Sequence, residues 1–202
     1  MNIIPEGLAG KPCPKCGTPV DSLGDHVVSC IKNNIWRRHM ALQDALLDLI
    51  QRAGFTAVRE VSASTDDQLR PGDIFIPRWD ADGPCGIDLT VRHPYTQSNP
   101  IRGHESFPEW EQKQEKDKEI KYREKCMRAG WSFYPFVVST WGSIAPQGTT
   151  FMNDFLKIAL GGQQGAVRVQ RESTIWQTLM LPSMKKVSQQ LRVLLAITND
   201  DQ

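Results

Sequence analysis

The sequence lacks most of the features that would assign it quickly to a class of protein. It has no apolar run of about 18 residues, so no membrane-spanning helix is expected. The formal net charge of the 202 residues is only +1, so no global excess of basic charge indicates nucleic acid, and any such contact must come from a local patch. The first residues have neither the basic start nor the apolar stretch of a secretory signal peptide, so we expect an intracellular protein.

Cysteine is scarce, but three of the five cysteines lie close together near the N-terminus. Cys13 and Cys16 flank a Pro-Lys pair and precede a glycine, which is typical of a tight turn that brings two sulfurs to one point. His26 and Cys30 follow at a spacing of four, as on one helical turn. Zinc binds four nitrogen or sulfur ligands in a tetrahedron, so we predict a closed structural zinc site, against the alternative of unrelated thiols beside a surface histidine. The remaining cysteines are expected to be small buried residues, Cys85 and Cys126.

Hydrophobic periodicity predicts alternating helices and short strands after this cysteine-rich segment. An amphipathic helix is followed by three short strands, which indicates an α/β unit with a meander. We expect a zinc-binding module over residues 1–32, a core over 33–145 and a helical extension over 146–202. The predicted elements are a helix over 33–52, strands over 55–62, 73–77 and 85–92, loops over 78–84 and 93–109, a charged helix over 109–128, a strand over 131–140, and helical segments at about 150–160 and 172–197.

Two acidic residues lie in apolar surroundings. Asp73 opens one apolar run, and Asp88 lies inside another. An acid in a buried strand is costly unless it is paired or bound to a cation. Because side chains alternate along a strand, the two acids meet on one side of the sheet if their strands are neighbours. Two carboxylates held together repel unless a divalent cation binds between them, which predicts a site for Mg²⁺ or Mn²⁺.

A third acid, Glu60, belongs to the first predicted strand and is a further candidate ligand for this cation. For each acid the alternative is an ordinary role at a loop edge, capped by backbone amides or paired with an arginine. A divalent cation held by such carboxylates can activate water and stabilise the charge that develops during phosphodiester cleavage. The acids therefore indicate a hydrolytic centre.

The order of these features resembles a known nuclease signature. The sequence PGD at 71–73 followed by DLT at 88–90 looks like the PD-(D/E)XK pattern. More narrowly, the zinc cluster, RH at 38–39, RPGD, IDLTV and a later lysine-rich helix resemble the restriction-endonuclease-like domain of non-LTR retrotransposons and its stand-alone relatives, over residues 12–142. The resemblance implies a mixed β-sheet flanked by helices, similar in fold to archaeal Holliday-junction resolvases. It also implies metal-dependent cleavage of DNA, with a nick that can prime reverse transcription.

The chain departs from this pattern at two positions. Thr90 stands where the pattern has a lysine, and Gly72 separates the proline from Asp73. The resemblance to the retrotransposon group implies that the motif's lysine can lie on a following helix instead. From there it could position the attacking water or stabilise the transition state. The alternative is a solvated helix, because the charged helix mixes both signs of charge. Candidates on one face of that helix are Lys118 or Lys121 as the catalytic cation, with Tyr122 and Lys125 beside them to contact DNA.

The first predicted helix begins with three basic residues. Arg37, Arg38 and His39 would flank the active site in a resolvase-like fold, where they could contact phosphate or assist proton transfer. The alternative is a first turn that simply faces solvent. The aromatic residues of the last strand are expected to fill the core rather than to stack on bases: Trp131, Phe133, Tyr134 and Phe136.

These observations predict an α/β protein with a restriction-endonuclease-like core, a small N-terminal zinc module and C-terminal helices. The expected function is a metal-dependent DNA endonuclease in the nucleus, acting on double-stranded or branched DNA, with structural Zn²⁺ and catalytic Mg²⁺ or Mn²⁺. One alternative is a catalytically inactive nucleic-acid-binding module of the same fold, which Thr90 favours. Another is a zinc-bearing protein-interaction domain. The helices after residue 150 could pack on the core, bind a partner or pair two copies as a homodimer.

Overall fold

A computed structural model describes residues 7–33, 35–59, 72–80, 83–96, 99–100, 106–161 and 165–199. Glu60 lies outside these ranges, so its predicted role as a metal ligand stays a prediction. None of the helices within these ranges is both long and apolar enough to cross a membrane.

The chain alternates helices and strands in an α/β arrangement. The helices are α1 (Asp25–Ser29), α2 (Trp36–Arg52), α3 (Phe107–Arg128), α4 (Pro146–Ala159) and α5 (Gly165–Asn199), with a 3-10 turn at Ile31–Asn33. The strands are β1 (Val58–Arg59), β2 (Ile74–Asp80), β3 (Gly83–Arg92), β4 (Tyr95–Thr96), β5 (Asn99–Pro100) and β6 (Ser132–Ser139).

A four-stranded mixed sheet with the order β1-β2-β3-β6 forms the centre of the molecule. β1, β2 and β3 are antiparallel neighbours, as the predicted meander requires. β6 pairs with β3 in parallel, and α3 makes the crossover between them. A parallel pair needs such a long connection, and a helix is its usual form. The prediction of a mixed sheet flanked by helices is therefore confirmed.

The two faces of this sheet are covered differently. One face packs against α2, α4 and α5 around a large apolar core that includes Ile87 and Leu89 of β3 and Phe136 of β6. The other face packs against α3 through a small cluster of Tyr122, Cys126 and Phe133. Asp88 alternates with Ile87 and Leu89, so its side chain lies on the α3 face. As predicted, Phe133 and Phe136 are buried, and so are both solitary cysteines.

The predicted loop over 78–84 is wrong, because the flanking strands continue through most of it. Asp80 pairs with Gly83, so the hairpin is much tighter than the polar sequence indicates. Trp79 supplies the reason: its ring stacks on Phe151 of α4 with centroids 4.6 Å apart and is almost fully buried. This tertiary contact holds the chain extended where turn-forming residues favour a loop.

Three helices begin earlier than their apolar pattern indicates. α3 begins after Ser106, which forms a capping box with Glu109, and so the last three residues of the predicted 93–109 loop are helical. α4 begins at Pro146, a residue that suits the first helical position because its missing N–H needs no partner there. α5 extends over 35 residues, well beyond the predicted segment.

The outer edge of β6 has a distinctive backbone. Val137 accepts a hydrogen bond from the Ala145 amide, and the Ser139 amide donates to the Ser143 carbonyl, so both residues turn away from β3. Because backbone groups alternate along a strand, Pro135 also turns its missing N–H to this outer side. Proline is tolerated in an edge strand for that reason.

Candidate functional site

The first half of the N-terminal site is a tight turn that carries two cysteines. The Gly17 amide donates to the Cys13 carbonyl at 2.8 Å, and the Cys13 amide donates to the Thr18 carbonyl at 2.8 Å. Gly17 has φ +80°, a left-handed conformation in which any other residue would be strained. The turn therefore holds the sulfurs of Cys13 and Cys16 on one side, as the sequence predicts.

The second half is the short helix α1, which carries the histidine. Asp21 holds its start: the Asp21 carboxylate accepts hydrogen bonds from the amides of Asp25 at 3.1 Å and His26 at 2.6 Å. Partial burial would raise the pKa of Asp21, but these amides and that of Leu23 outweigh it and lower the pKa. Cys30 follows at the C-terminal end of α1.

Cys13, Cys16, His26 and Cys30, the Cys/His cluster, bring their ligand atoms within 4.8 Å of one another. Tetrahedral zinc with Zn–S bonds of about 2.3 Å places ligand atoms roughly 3.8 Å apart, so only small shifts are needed to close the site. Hydrogen bonds from Thr18 lower the pKa of the Cys16 thiol to about 6, which favours the thiolate that binds metal. Burial instead raises the pKa of Cys30 to about 11. Three sulfurs and one nitrogen in this arrangement could bind a metal such as zinc.

The second site lies on the α3 face of the sheet. β2 and β3 pair with Ile74 opposite Ile87, so one further step of the same register sets Asp73 opposite Asp88. The Asp73 side chain accepts a hydrogen bond of 2.6 Å from the Leu89 amide, which fixes it against β3. The predicted meeting of the two acids on one side of the sheet therefore agrees with the strand register.

Asp88 is the more buried of the two acids, and its side chain is only 8% exposed. Burial raises the pKa of Asp88, and the neighbouring Lys118 ammonium opposes that rise. Lys118 Nζ lies 2.6 Å from Asp88 Oδ2. That oxygen has no hydrogen bond of normal geometry within the described part of the chain, so the contact is an ion pair with unused acceptor capacity.

The geometry distinguishes the two lysines that the sequence offers. Lys118 reaches Asp88, whereas Lys121 Nζ lies 4.7 Å from the centre of the Tyr122 ring. Contact with Tyr122 raises the pKa of Lys121, which is itself exposed. Tyr122 is buried against the sheet, and Lys125 is half-buried one turn further along α3. Lys118 is thus the cation at the acids, and Lys121 is beside it.

The three basic residues at the start of α2 have three different environments. His39 Nε2 lies 3.4 Å from Asp73 Oδ1, at the edge of the acid pair. Arg37 is exposed. Arg38 is only 2% exposed, and its Nε and Nη1 atoms have no hydrogen-bond partner among the described residues. Burial lowers the pKa of Arg38 to about 10. Phosphate contact needs an accessible guanidinium, so His39 and Arg37 remain the candidates here. Asp73, Asp88, Lys118 and His39 are called the carboxylate site below.

Two polar supports of this site were not predicted from the sequence. Gln43 of α2 donates a 2.7 Å hydrogen bond from Nε2 to the Asp73 carbonyl. Arg92, on the same face of β3 as Asp88, donates a 2.7 Å hydrogen bond to Gln114 Oε1, one turn before Lys118 on α3. A glutamine has no sequence signature for this role, so only the fold could reveal these contacts.

A third missed contact connects the two sites. His93 Nε2 lies 2.8 Å from Asp25 Oδ1, and its Nδ1 lies 2.6 Å from Thr140 Oγ1. The imidazole is buried, and burial lowers the pKa of His93 against the opposing effect of Asp25. Asp25 precedes the ligand His26, and His93 follows the strand of Asp88. The Cys/His cluster is therefore attached to the strand that carries the carboxylate site.

Within the described ranges, the Cys/His cluster is the only group of three or more metal-ligating side chains that converges on one point. Comparison with known proteins adds no relationship: no protein-family model matches the chain, and no curated protein matches it. The function therefore has to be argued from the geometry of the two sites.

Proposed function

We propose that the chain is a metal-dependent DNA endonuclease with a restriction-endonuclease-like core. The observation that carries the proposal is the carboxylate site, where Asp73 and Asp88 face each other and Lys118 lies 2.6 Å from Asp88. Two strand acids and a cation are the groups that a nuclease of the PD-(D/E)XK kind needs. Here the cation comes from a helix, which compensates for Thr90 at the usual lysine position.

Asp73 and Asp88 are suited to hold a divalent cation. Asp88 Oδ2 is buried and keeps unused acceptor capacity, and a hard cation such as Mg²⁺ or Mn²⁺ prefers carboxylate oxygens and water. When bound, such an ion lowers the pKa of a coordinated water and offsets charge on the phosphate. Glu60 is the proposed third acid, and its place in the site rests on the sequence alone.

Lys118 and His39 have separate roles in this proposal. The Lys118 ammonium neutralises Asp88 before substrate binds, and its aliphatic chain lets it turn toward a phosphate oxygen, where it stabilises the developing negative charge. His39, beside Asp73, lies where a proton could be exchanged with the attacking water or the leaving oxygen. Lys121, Lys125 and Arg37 offer further positive charge to the DNA backbone.

The Cys/His cluster has a structural role in the proposal. With four protein ligands, zinc has no open position for substrate, so the ion organises the N-terminal segment and its contact with His93. The proposed partner is double-stranded or branched DNA, which implies a nuclear location, and α5 offers a long helix for pairing two copies.

The second candidate is an inactive nucleic-acid-binding module of the same fold. Thr90 favours it, because this residue is buried at the position of the missing lysine and cannot carry a positive charge. Both candidates bind DNA, but only the nuclease binds a divalent cation and cleaves. A module of this kind would bind DNA equally well with and without a divalent cation.

The decisive experiment is a cleavage assay on supercoiled plasmid, branched DNA and single-stranded DNA in Mg²⁺, Mn²⁺ or EDTA. Asp88→Asn keeps the side-chain volume and removes the charge, and we expect at least about a 100-fold loss of cleavage. Asp154→Asn is the matched control, because Asp154 is an exposed acid of α4 paired with Lys157. Lys118→Met should lose activity comparably, whereas Lys121→Met should retain most of it.

The outcomes separate the candidates. Metal-dependent cleavage that is lost in Asp88→Asn and kept in Asp154→Asn supports the nuclease. DNA binding without cleavage on any substrate would replace it with the inactive module. A protein that neither cuts DNA nor binds it with salt-dependent affinity would contradict both, and would leave protein interaction as the role.

A further inference from the structure

Two aromatic side chains stand exposed side by side beyond the end of the sheet. Tyr95 of β4 is 38% exposed, and Trp141, in the turn after β6, is 46% exposed. Their ring centroids are 5.2 Å apart. Large aromatic residues are costly to expose together in water, so an exposed pair of this kind is typical of a binding surface for a ligand or partner.

These two rings are held firmly from behind. His93 contacts both of them edge-on, with centroid distances of 6.3 Å to Tyr95 and 5.8 Å to Trp141. Phe107 lies 5.5 Å from Trp141 and stacks in turn on the fully buried Trp110. His93 is itself fixed by two short polar contacts. The pair is therefore a preformed surface rather than two mobile side chains.

The position of the pair relates it to the carboxylate site. From Asp88, β3 continues to its last residue, Arg92, and His93 and Tyr95 follow directly in the chain. Asp88 and Arg92 share one face of β3, and four steps along the strand separate them by about 13 Å. Arg92 is exposed, and its guanidinium is held by Gln114. Asp88, the fixed cation Arg92 and the aromatic Tyr95 thus follow one another along β3 and the short segment after it.

We propose that Tyr95 and Trp141 stack on an unpaired nucleobase of the DNA, a few nucleotides from the bond that the carboxylate site cleaves. This inference rests on the proposed nuclease function and names its substrate class: DNA with unpaired nucleotides beside the scissile bond. Arg92 contacts the intervening phosphate. A base in an intact duplex is covered on both sides by its neighbours, so only an unpaired or flipped base can present its face to the two rings.

The chemistry of the surface favours a nucleobase over an apolar partner. The two rings are inclined at 50°, so a flat base can stack on one and contact the other at its edge. The exposed cation Arg92 precedes them on the strand that carries Asp88. Aromatic stacking combined with a basic side chain is the usual arrangement for single-stranded nucleic acid and tolerates any base sequence. Loss of one stacking ring is expected to weaken binding by about 10-fold.

The first test measures binding in EDTA with the Asp88→Asn chain, so that cleavage plays no part. The probes are a fluorescein-labelled 20-nucleotide single strand, a duplex of the same sequence, and that duplex with a single-stranded extension. Trp141→Ala and Tyr95→Ala should each weaken binding to the two probes with unpaired nucleotides by about 10-fold and leave the duplex within about 2-fold. Trp141→Phe should restore most of the affinity. Ile120→Ala is the control, because Ile120 is exposed on the opposite side of α3 from Lys118.

A second readout reports stacking itself. 2-Aminopurine, whose fluorescence is quenched when it stacks, is moved one position at a time along the single-stranded extension. We expect quenching at one or two adjacent positions, lost in Trp141→Ala and restored in Trp141→Phe. Equal affinity of Trp141→Ala and the parent chain for every probe, or no position-dependent quenching, would overturn the inference.

The outcome for this surface is separable from that of the nuclease. Base stacking without cleavage by the unmodified chain would keep the nucleobase surface and remove the nuclease. Cleavage by Tyr95→Ala and Trp141→Ala at the parent rate and KM on every substrate would keep the nuclease and remove the surface. A chain that binds none of the probes would remove both.

Discussion

The Cys/His cluster and the carboxylate site are built in opposite ways. The cluster takes its four ligands from residues 13–30 and holds them with hydrogen bonds inside that segment. The carboxylate site takes its side chains from α2, β3, α3 and the residue just before β2, and depends on the whole sheet. The cluster offers four protein ligands, as many as a tetrahedral metal takes, whereas the carboxylate site leaves a buried oxygen with spare acceptor capacity. A saturated site suits a structural role, and an unsaturated one suits chemistry.

The largest expected effect comes from opening the cluster. Cys13→Ser removes a buried ligand, and structural zinc contributes on the order of 10 kcal/mol to the folding of small modules, so we expect loss of the metal and of protection over residues 7–33. Zinc content and hydrogen exchange measure both. Cys126→Ala, a buried cysteine outside the cluster, is the control. If Cys13→Ser still binds one zinc per chain and its hydrogen exchange is unchanged, the assignment of Cys13 as a metal ligand is wrong.

The next effect concerns the ion pair of the carboxylate site. Lys118→Met leaves the buried Asp88 without its cation and should cost about 1–3 kcal/mol of unfolding free energy, a reduced range because Lys118 is 22% exposed. The double variant Asp88→Val/Lys118→Met should be at least as stable as the parent chain, since apolar residues often replace a buried ion pair without loss. Urea denaturation measures all three. A double variant less stable than Lys118→Met alone would mean that the ion pair itself stabilises the fold.

The same variant has a pH dependence with a defined sign. The pKa of Asp88 is raised in the folded state above its ordinary value of 3.8, so the folded chain holds this proton more tightly than the unfolded chain. The contribution of Asp88 to stability therefore falls as the pH rises from 3.8 through the folded-state pKa. Without Lys118 the pKa rises further. The stability deficit of Lys118→Met should therefore be largest near neutral pH and shrink as pH falls toward the ordinary carboxyl value. A deficit that is constant from pH 7 to pH 4 would contradict the assigned cause.

A smaller effect is expected where the two regions join. His93→Phe removes the polar contacts to Asp25 and Thr140 and should cost about 1–3 kcal/mol. If the cluster is supported through this contact, zinc should also be released at a lower chelator concentration. Thr149→Val, which removes a partly buried side-chain hydrogen bond from α4 to the Ile144 carbonyl just before it, is a control of similar kind. Unchanged zinc release in His93→Phe would show that the cluster is independent of the sheet.

The smallest effect serves as a reference for the others. Ser106→Ala removes the capping box of α3 and should cost about 1 kcal/mol, measured by thermal unfolding. Because Lys118 lies three turns further along α3, zinc content and DNA cleavage should be unchanged. A loss of cleavage in Ser106→Ala comparable to that of Lys118→Met would mean that α3 stability, rather than the lysine itself, controls the carboxylate site.

The difference between the two regions also explains which structural features could be predicted from the sequence. The four cluster ligands are close in the chain, so their spacing alone predicts the turn and the helix that hold them. The facing of Asp73 and Asp88 follows from strand alternation once β2 and β3 are neighbours. These predictions depend on local rules that tertiary packing does not alter.

The remaining features depend on contacts between distant parts of the chain. Lys118 and Lys121 are equivalent by spacing, and only the packing of α3 on the sheet brings one of them to Asp88. Arg38 and His39 are adjacent, yet one is buried and the other faces the acids. The extension of β2 depends on Trp79 meeting α4. No periodic pattern in a single sequence encodes such pairings.

The proline at the outer edge of β6 limits how copies of this chain can assemble. Where Pro135 lies, a neighbouring strand would find no donor, and the next residues outward are already bonded to the turn that follows β6. Sheets that extend from molecule to molecule need an uninterrupted ladder at such an edge. Continuous cross-molecular sheets, including the fibrous kind, are therefore discouraged at this side of the molecule. A dimer of this chain that avoids this edge could separate without breaking the sheet at β6.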